Sequence, residues 1–344
     1  MQRNIMPQAG IWFLVMTLFC LTFYACSRQI TSKNLVNNRE ETMVKHPPFE
    51  ADSAMKFAIK QVSFGPRIPN SEAQKKCADY LKKQLEAYAP LVQIQEFTAS
   101  RWDGVRLKGY NIIASFNLDQ PERILLAAHW DSRPYADNDP NPDNHKKPID
   151  GANDGASGVA VLMEAARVFY QKNPAIGVDI IFFDLEDSGC PSWAKESQNQ
   201  DSQEEYTWCL GSQYWAENPH IPAYNAKYGI LLDMVGVFNP YFTKEATSMY
   251  YASDIMNKVW NTASILGYGS VFSDQRSGGM IDDHLFINKI TGIPMIDIIH
   301  YQDSDGHGFF KHWHTVSDNL ENLSPQSMKI VGEVILNTIY NEKI

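Results

Sequence analysis

The chain has 344 residues, of which 44% are apolar and 20% are charged. This balance is typical of a globular protein with one large core or two smaller ones. The formal net charge of −10 argues against a nucleic-acid partner, because proteins that bind nucleic acids more often carry a basic surplus.

The N-terminus has the pattern of an export signal. Basic Arg3 precedes an uncharged apolar run from Ala9 to Ala25, and Cys26 follows directly. A small residue before a cysteine is typical of bacterial lipoproteins, so residues 1–25 are expected to be removed and Cys26 to be lipidated. A plain signal or an uncleaved anchor is the alternative, since the run nearly suffices to span a bilayer. We therefore expect a membrane-anchored protein on the periplasmic side, with 26–45 as a flexible tether.

From about residue 49 the apolar pattern becomes regular. In chain order it predicts helices over 53–64 and 71–89, strands over 91–99, 109–117 and 123–131, a helix over 155–172, a strand over 177–187, a helix over 211–218, a strand over 228–236, a helix over 253–269, a strand over 292–300 and a helix over 324–342. This alternation predicts an α/β fold: a three-layer sandwich with a central mixed, mostly parallel sheet and helices on both faces. Residues 46–344 are expected to form a single domain.

Three cysteines lie in the predicted domain. Cys77 falls in a helical pattern and is expected to be a buried apolar residue. Cys190 and Cys209 flank a polar insertion, residues 191–208. In an oxidising compartment a disulfide between these two cysteines would link the two ends of the insertion. Two buried thiols are the alternative.

Polar side chains cluster where the predicted strands end. His129 closes one strand, Glu186 and Asp187 another, and Asp233 a third, while Asp154 lies between glycines ahead of a helix. Ligands of open α/β sheets bind beyond the carboxyl ends of the strands. Singly, each residue is more simply explained as a cap, a solvated loop residue or a satisfied histidine.

Three of these positions together suggest a metal site. Asp154, one carboxylate of the Glu186 and Asp187 pair, and the more distant His314 form a set of Asp, Glu or Asp, and His that suits Zn²⁺ with an open fourth position.

Six ordered motifs carry a family resemblance: "HWDS", "GANDGASG", "FFDLED", "LLDMVG", "DDHLFI" and "WHTVSDNLENL". From about Phe49 to the C-terminus the sequence resembles the zinc-dependent glutaminyl cyclases of the animal type and their bacterial relatives. These enzymes share a fold with the two-zinc aminopeptidases.

The resemblance implies one zinc ion per chain, held by Asp154, Asp187 and His314. It implies Glu186 as the general acid/base, with Asp282 and Asp233 in a hydrogen-bond network around it.

Three positions depart from the pattern of the resembled family. Asp187 is a shorter carboxylate than the glutamate often found there, Gly155 replaces a serine, and Asp297 stands where the animal enzymes have a histidine.

The resemblance also implies a substrate pocket. Trp313, with Trp193 as a second partner, is expected to wall a narrow apolar pocket, although Trp313 could instead fill the core. His129 corresponds to a ligand of the second zinc in the two-metal relatives, as does Asp233, so these residues mark a possible second-metal remnant.

Three functions remain open on the sequence. The first is a glutaminyl-peptide cyclotransferase, which converts the N-terminal Gln of peptides and proteins to pyroglutamate and releases ammonia. The second is a two-zinc aminopeptidase, which the presence of His129 and Asp233 supports. The third is a surface lipoprotein that binds peptides without turnover, which the departures at Asp187 and Gly155 permit.

Overall fold

The computed structural model describes residues 43–197, 204–302 and 308–343, and a six-stranded sheet lies at the centre of this part of the chain. The strands in chain order are β1 (Leu91–Ser100), β2 (Arg106–Phe116), β3 (Arg123–His129), β4 (Gly177–Phe183), β5 (Tyr228–Asp233), β6 (Phe242–Glu245), β7 (Phe272–Ser277) and β8 (Met295–Ile299). The central sheet has the order β1-β2-β4-β3-β5-β8. Its first two pairings are antiparallel and the other three are parallel. The predicted mixed, mostly parallel sheet is confirmed.

The four parallel strands are buried on both faces, as their nearly continuous apolar runs predict. In β3, Ile124 and Leu126 point into one core, while Leu125 and Ala127 point into a second core on the opposite face. Successive side chains of a strand face opposite ways, so a run without polar interruption requires cover on both sides.

Helices provide that cover. They are α1 (Ala51–Val62), α2 (Glu72–Leu85), α3 (Ala156–Gln171), α4 (Leu210–Glu217), α5 (Ala246–Ile265), α6 (Asp283–Phe286) and α7 (Pro325–Tyr340). The larger core contains side chains of α1, α2, α3, α5 and α7, and the smaller core contains Trp215 and Ala216 of α4. The three-layer α/β architecture is therefore confirmed.

Two local features differ from the predicted elements. β6 and β7 form a separate two-stranded parallel sheet that the sequence did not predict. Both strands are short, and β7 is largely exposed, so neither shows an apolar periodicity. The helix predicted from residue 253 begins at Ala246 in the structure, with non-helical backbone angles at Ala252. These angles kink the helix at Ala252, and the sequence pattern predicted only the part that follows the kink.

The predicted export signal, Cys26 and nearly all of the tether lie outside the described residues. From Val44 onward the chain forms one compact unit. Within 43–197, 204–302 and 308–343, no helix is both long and apolar enough to cross a bilayer.

The expected disulfide between Cys190 and Cys209 is wrong. Both residues are buried thiols with no bond between them, and Cys77 is buried as expected. The Cys209 thiol donates a hydrogen bond to Oε1 of Glu186 at 3.2 Å, whereas the Cys190 thiol contacts the carbonyl oxygen of Pro191 at 3.8 Å. Each sulfur therefore has a different polar neighbour.

Candidate active site

The carboxyl ends of the parallel strands bring the polar residues together. His129 ends β3, Asp233 ends β5, and Glu186 and Asp187 lie in the turn that follows the last residue of β4, Phe183. All four side chains are buried. The structure thus places these four residues at one edge of the sheet.

Asp131 holds the turn that carries Glu186 and Asp187. Its Oδ1 accepts the backbone N–H of Glu186 at 3.1 Å, and its Oδ2 accepts that of Asp187 at 3.1 Å. Asp131 is itself fully buried. Hydrogen bonds from two successive amides to one carboxylate fix the direction of this turn, so both acidic side chains leave it in defined directions.

Asp318 holds the second acidic segment in the same way. Its two oxygens accept the backbone N–H groups of Asn153 at 2.8 Å and of Asp154 at 3.1 Å. Burial raises the pKa of Asp318 well above its ordinary value, and the charge of Asp154 adds to this shift. Sequence reasoning did not single out Asp318. Its only sequence signal was its position four residues after His314.

His314 is oriented by a chain of charged contacts. Its Nδ1 lies 3.5 Å from Oδ1 of Asp137. Arg133 donates to both oxygens of Asp137, at 3.0 and 2.9 Å, and to the backbone carbonyl of Asp187 at 3.0 Å. The backbone N–H of Asn138 donates to the carbonyl of His314 at 3.1 Å. The loop after β3 thus connects His314 to the turn of Asp187, and the opposite ring nitrogen is directed into the site.

Asp154, Asp187 and His314 converge as predicted. Nε2 of His314 lies 3.2 Å from Oδ1 of Asp187 and 3.6 Å from Oδ2 of Asp154. Together the three residues offer ligand atoms that all lie within 4.8 Å of one another. The shorter carboxylate of Asp187 therefore does reach the cluster.

The unpaired atoms of this cluster fit a metal ion. Oδ2 of Asp154 and both carboxylate oxygens of Asp187 are buried and have no hydrogen-bond partner among the described residues. Buried carboxylates without a partner are costly unless a cation compensates them. Two carboxylates and one imidazole are donors that suit Zn²⁺, with room for a fourth ligand. The residues present thus fit a zinc ion.

A second cluster shares Asp154. Nε2 of His129 lies 3.1 Å from Oδ1 of Asp154 and 3.2 Å from Oδ1 of Asp233. These three residues also offer ligand atoms within 4.8 Å of one another. Asp154 therefore faces His314 with one oxygen and His129 with the other, which is the arrangement that a bridging carboxylate between two metal ions requires.

Gly155 leaves no room for a side chain at this junction. A Cβ atom there would lie 2.4 Å from the carbonyl oxygen of His129 and 2.5 Å from its Nε2. The serine of the resembled family cannot be accommodated at this position unless His129 moves.

We expect Gly155→Ala to lower the free energy of unfolding by about 1–3 kcal/mol, because the inserted methyl group displaces a buried histidine. Chemical denaturation measures this change. Gly278→Ala is the matched control, since a Cβ atom at Gly278 would meet no atom of the described residues within 4 Å. That variant should stay within about 0.5 kcal/mol of the native protein. Equal stabilities for the two variants would contradict the close packing of Gly155 on His129.

Glu186 lies beside the two clusters. Its Oε2 is 4.0 Å from Nδ1 of His129, and the residue is almost entirely buried. Burial raises the pKa of Glu186 well above its ordinary value; the charge of His129 opposes this shift, and the charges of Asp187 and Asp282 reinforce it. A buried carboxyl with a raised pKa suits a general acid/base, which must accept a proton and return it.

Asp282 and Asp233 have different neighbours. Asp282 shares a cluster with Glu186 and Cys209 in which ligand atoms lie within 4.8 Å of one another. Burial raises the pKa of Asp282 to about 6, with a further contribution from the charge of Asp233. Asp233 itself makes its close contact with His129. Of the two predicted partners of Glu186, Asp282 thus belongs to the cluster of Glu186 and Cys209, whereas Asp233 contacts His129.

A further buried group lies behind Asp282. Asp282, His284 and Asp297 offer ligand atoms within 4.8 Å of one another, and Nε2 of His284 lies 3.2 Å from Oε1 of Glu245. Burial raises the pKa of Asp297 well above its ordinary value, and Asp282 adds to the shift. At the position where the animal enzymes have a histidine, this chain thus places a carboxyl beside Asp282.

Two tryptophans flank His314. The ring of Trp313 stacks on it with a centroid distance of 4.0 Å, and the ring of Trp208 lies parallel to it at 6.1 Å. Arg133 sits over the face of Trp208 at 4.5 Å. Trp313 also packs against Phe309, so it both contacts the site and joins a small apolar cluster.

Trp208 was not predicted, and Trp193 lies elsewhere. The side chain of Trp193 is 42% exposed, and its ring packs edge-on against Tyr135 and Trp102. Both tryptophans belong to the polar insertion, and composition alone could not tell which one faces the site. The signal for Trp208 was its place directly before Cys209, where the chain returns to the domain.

Comparison with known proteins agrees with this geometry. Residues 111–339 match Peptidase family M28, and the chain belongs to this family. Within it, the chain is similar to a glutaminyl cyclase from Bacteroides thetaiotaomicron, solved with N-acetylhistamine, at 47% identity and a TM-score of 0.83 over 87% of this chain and 100% of that one. A Zn-dependent exopeptidase from Parabacteroides distasonis shows the same identity of 47%, the same TM-score of 0.83 and the same coverage of 87% and 100%.

A curated relative extends this similarity beyond bacteria. A glutaminyl-peptide cyclotransferase from Gloydius blomhoffii is 24% identical over 298 residues, which are 78% of this chain and 75% of the relative. The resemblance to glutaminyl cyclases, first seen in six short motifs, is confirmed.

Proposed function

We propose that this chain is a zinc-dependent glutaminyl-peptide cyclotransferase that acts on peptides and proteins with an N-terminal Gln. One observation carries the proposal: the buried carboxyl Glu186, with its raised pKa, immediately precedes the candidate ligand Asp187 and lies 4.0 Å from His129, which contacts the candidate ligand Asp154. The similarity to solved and curated glutaminyl cyclases supports it.

Asp154, Asp187 and His314 would hold one zinc ion per chain. A zinc ion bound there would polarise the γ-carbonyl of the substrate glutamine as a Lewis acid. Cyclisation forms a bond between the α-amine nitrogen and the carbonyl carbon of the side-chain amide (Cδ), and it breaks the bond from that carbon to the amide nitrogen, which leaves as ammonia. No water enters this reaction.

Glu186 moves the proton that this exchange requires. Its carboxylate takes a proton from the attacking α-amine and gives it to the departing amide nitrogen. A raised pKa suits both halves of this task, because the group must accept and release the proton in one turnover. Asp282, in the same cluster as Glu186, would share the proton while it is stored. Asp233, held against His129, would complete the network.

The tryptophans would shape the pocket. Trp313 and Trp208 lie on His314 and bring apolar surface to the cluster. Trp193 packs on Tyr135 and Trp102 instead, so it is not assigned to this wall. Such a wall holds the glutamine side chain folded onto its own amine and restricts water, which favours cyclisation over hydrolysis.

A two-zinc aminopeptidase is the second candidate, and the cluster of His129, Asp154 and Asp233 favours it. Incubation of the purified protein with a Gln-initiated dipeptide and with a Leu-initiated chromogenic substrate separates the two. The proposal expects ammonia from the first and no cleavage of the second. Cleavage of the second substrate without ammonia from the first would identify a peptidase.

We further propose that residues 1–25 are an export signal and that Cys26 carries the lipid of a membrane-anchored, extracytoplasmic lipoprotein, followed by a tether to residue 45. The pattern of a basic start, an apolar run and a cysteine supports this. Radiolabelled fatty acid should be incorporated into the native chain and not into Cys26→Ala. Equal labelling of both would contradict the assignment.

A further inference from the structure

Cys209 contacts the proposed acid/base directly. It immediately precedes α4, and its thiol lies 3.2 Å from Oε1 of Glu186. Its backbone N–H donates to the carbonyl oxygen of Glu186 at 2.8 Å, and the next amide, that of Leu210, donates to Leu185 at 3.0 Å. The start of α4 is therefore bound to the turn of Glu186 by side chain and backbone together.

The thiol is placed to donate a hydrogen bond and not to act as a base or ligand. Cys209 is fully buried, and burial raises the pKa of its thiol well above its ordinary value. The charges of Glu186, Asp283 and Asp282 reinforce this shift. A thiol that keeps its proton among carboxylates can stabilise them, whereas a thiolate would repel them.

The two oxygens of Glu186 then have separate surroundings. Oε1 accepts the thiol hydrogen bond, and Oε2 lies 4.0 Å from Nδ1 of His129, whose Nε2 contacts the proposed zinc ligand Asp154. Asp282 belongs to one cluster with Glu186 and Cys209, and within the described part of the chain its buried Oδ2 has no hydrogen-bond partner. If no donor bound Oε1, no hydrogen bond would fix the orientation of the Glu186 carboxyl group, which would then face only the carboxyl group of Asp282 on this side.

We propose that Cys209 is a positioning residue for Glu186: its S–H donates to Oε1 and holds the carboxyl group so that Oε2 accepts and returns the proton of the reaction. This inference rests on the proposed cyclotransferase function for its kinetic consequence. It does not require the thiol to react, so it needs no oxidant or second metal.

The kinetic test compares Cys209→Ala, which removes the donor, with Cys209→Ser, which keeps a donor of shorter reach. On a Gln-initiated peptide we expect Cys209→Ala to lower kcat by about five- to tenfold with little change in KM, because the hydrogen bond serves the charged acid/base and not substrate binding. Cys209→Ser should recover most of kcat. Cys190→Ala removes the buried thiol at the other end of the insertion and should leave kcat unchanged.

Two kinetic outcomes would overturn the inference. One is an unchanged kcat in Cys209→Ala. The other is an equal loss of kcat in Cys209→Ala and Cys209→Ser while both variants keep the thermal midpoint of the native protein. In a folded Cys209→Ser variant, the hydroxyl should have restored the hydrogen bond to Glu186 and with it most of kcat.

A spectroscopic measurement tests the contact without any activity. The infrared S–H band of Cys209, assigned from the difference between the native protein and Cys209→Ser, should lie at lower frequency than the band assigned through Cys190→Ala. It should move to higher frequency in Glu186→Gln, because a neutral amide oxygen accepts more weakly than a carboxylate. If the S–H bands of Cys209 and Cys190 coincide, and the Cys209 band does not shift in Glu186→Gln, the positioning contact is refuted. If the contact is seen but no Gln peptide is turned over, the proposed function fails and the inferred contact stands.

Discussion

Replacing Glu186 by Gln is expected to lower the turnover of a Gln-initiated peptide by about 10²–10⁴-fold, which is the usual contribution of a general acid/base. The amide has nearly the shape of the carboxyl group but cannot take a proton from the α-amine. Because Glu186 is not among the proposed zinc ligands, the zinc content should remain that of the native protein. Steady-state kinetics and metal analysis on the same preparation measure both quantities.

Glu217→Gln is the matched control for this substitution. Glu217 is exposed at the end of α4, so the same chemical change there should leave turnover unaffected. An unchanged rate in Glu186→Gln, with zinc retained, would remove Glu186 from the mechanism. A loss of rate that parallels a loss of zinc would instead show that Glu186 serves the metal.

The second large effect concerns the metal. We expect His314→Ala to lose both zinc and activity, and His129→Ala to keep the zinc content of the native protein. Both imidazoles are almost fully buried, at 3% and 1% exposure, so the two substitutions leave similar cavities. The difference between them therefore reports on metal binding. Loss of half the metal in His129→Ala, from two ions per native chain, would show a two-zinc centre.

Chelation is the companion experiment for the same claim. The sheet and its helices are held by two apolar cores that do not include the cluster residues. A chelator should therefore abolish activity while the far-ultraviolet circular dichroism spectrum of the native fold persists. Added zinc should restore turnover. Unfolding on chelation would show that the metal is structural.

Much of the sheet and part of the site followed from local patterns. The apolar runs of β3, β4, β5 and β8 predicted strands buried on both faces. Because His129, Asp187 and Asp233 stand at or just after strand ends, the topology of a parallel sheet brings them to one edge. The motifs around Asp154 and His314 supplied the remaining candidate ligands.

Other features depend on contacts between distant parts of the chain. Asp318 accepts amides of a segment 164 or more residues away, and no local pattern marks a carboxylate for that task. The choice between Trp193 and Trp208 depends on how the insertion returns to the domain, which its polar composition leaves open. The same is true of Cys209, whose thiol was expected to bond to Cys190 and instead contacts Glu186.

The proposed reaction is tested most directly by the mass of a Gln-initiated peptide after incubation with the zinc-loaded protein in water enriched in heavy oxygen. Attack of the peptide's own amine predicts a product lighter by one ammonia, with its length intact and no heavy oxygen incorporated. Shortened peptides, or a product that carries heavy oxygen in place of the amide nitrogen, would show that water is the nucleophile and would contradict cyclisation.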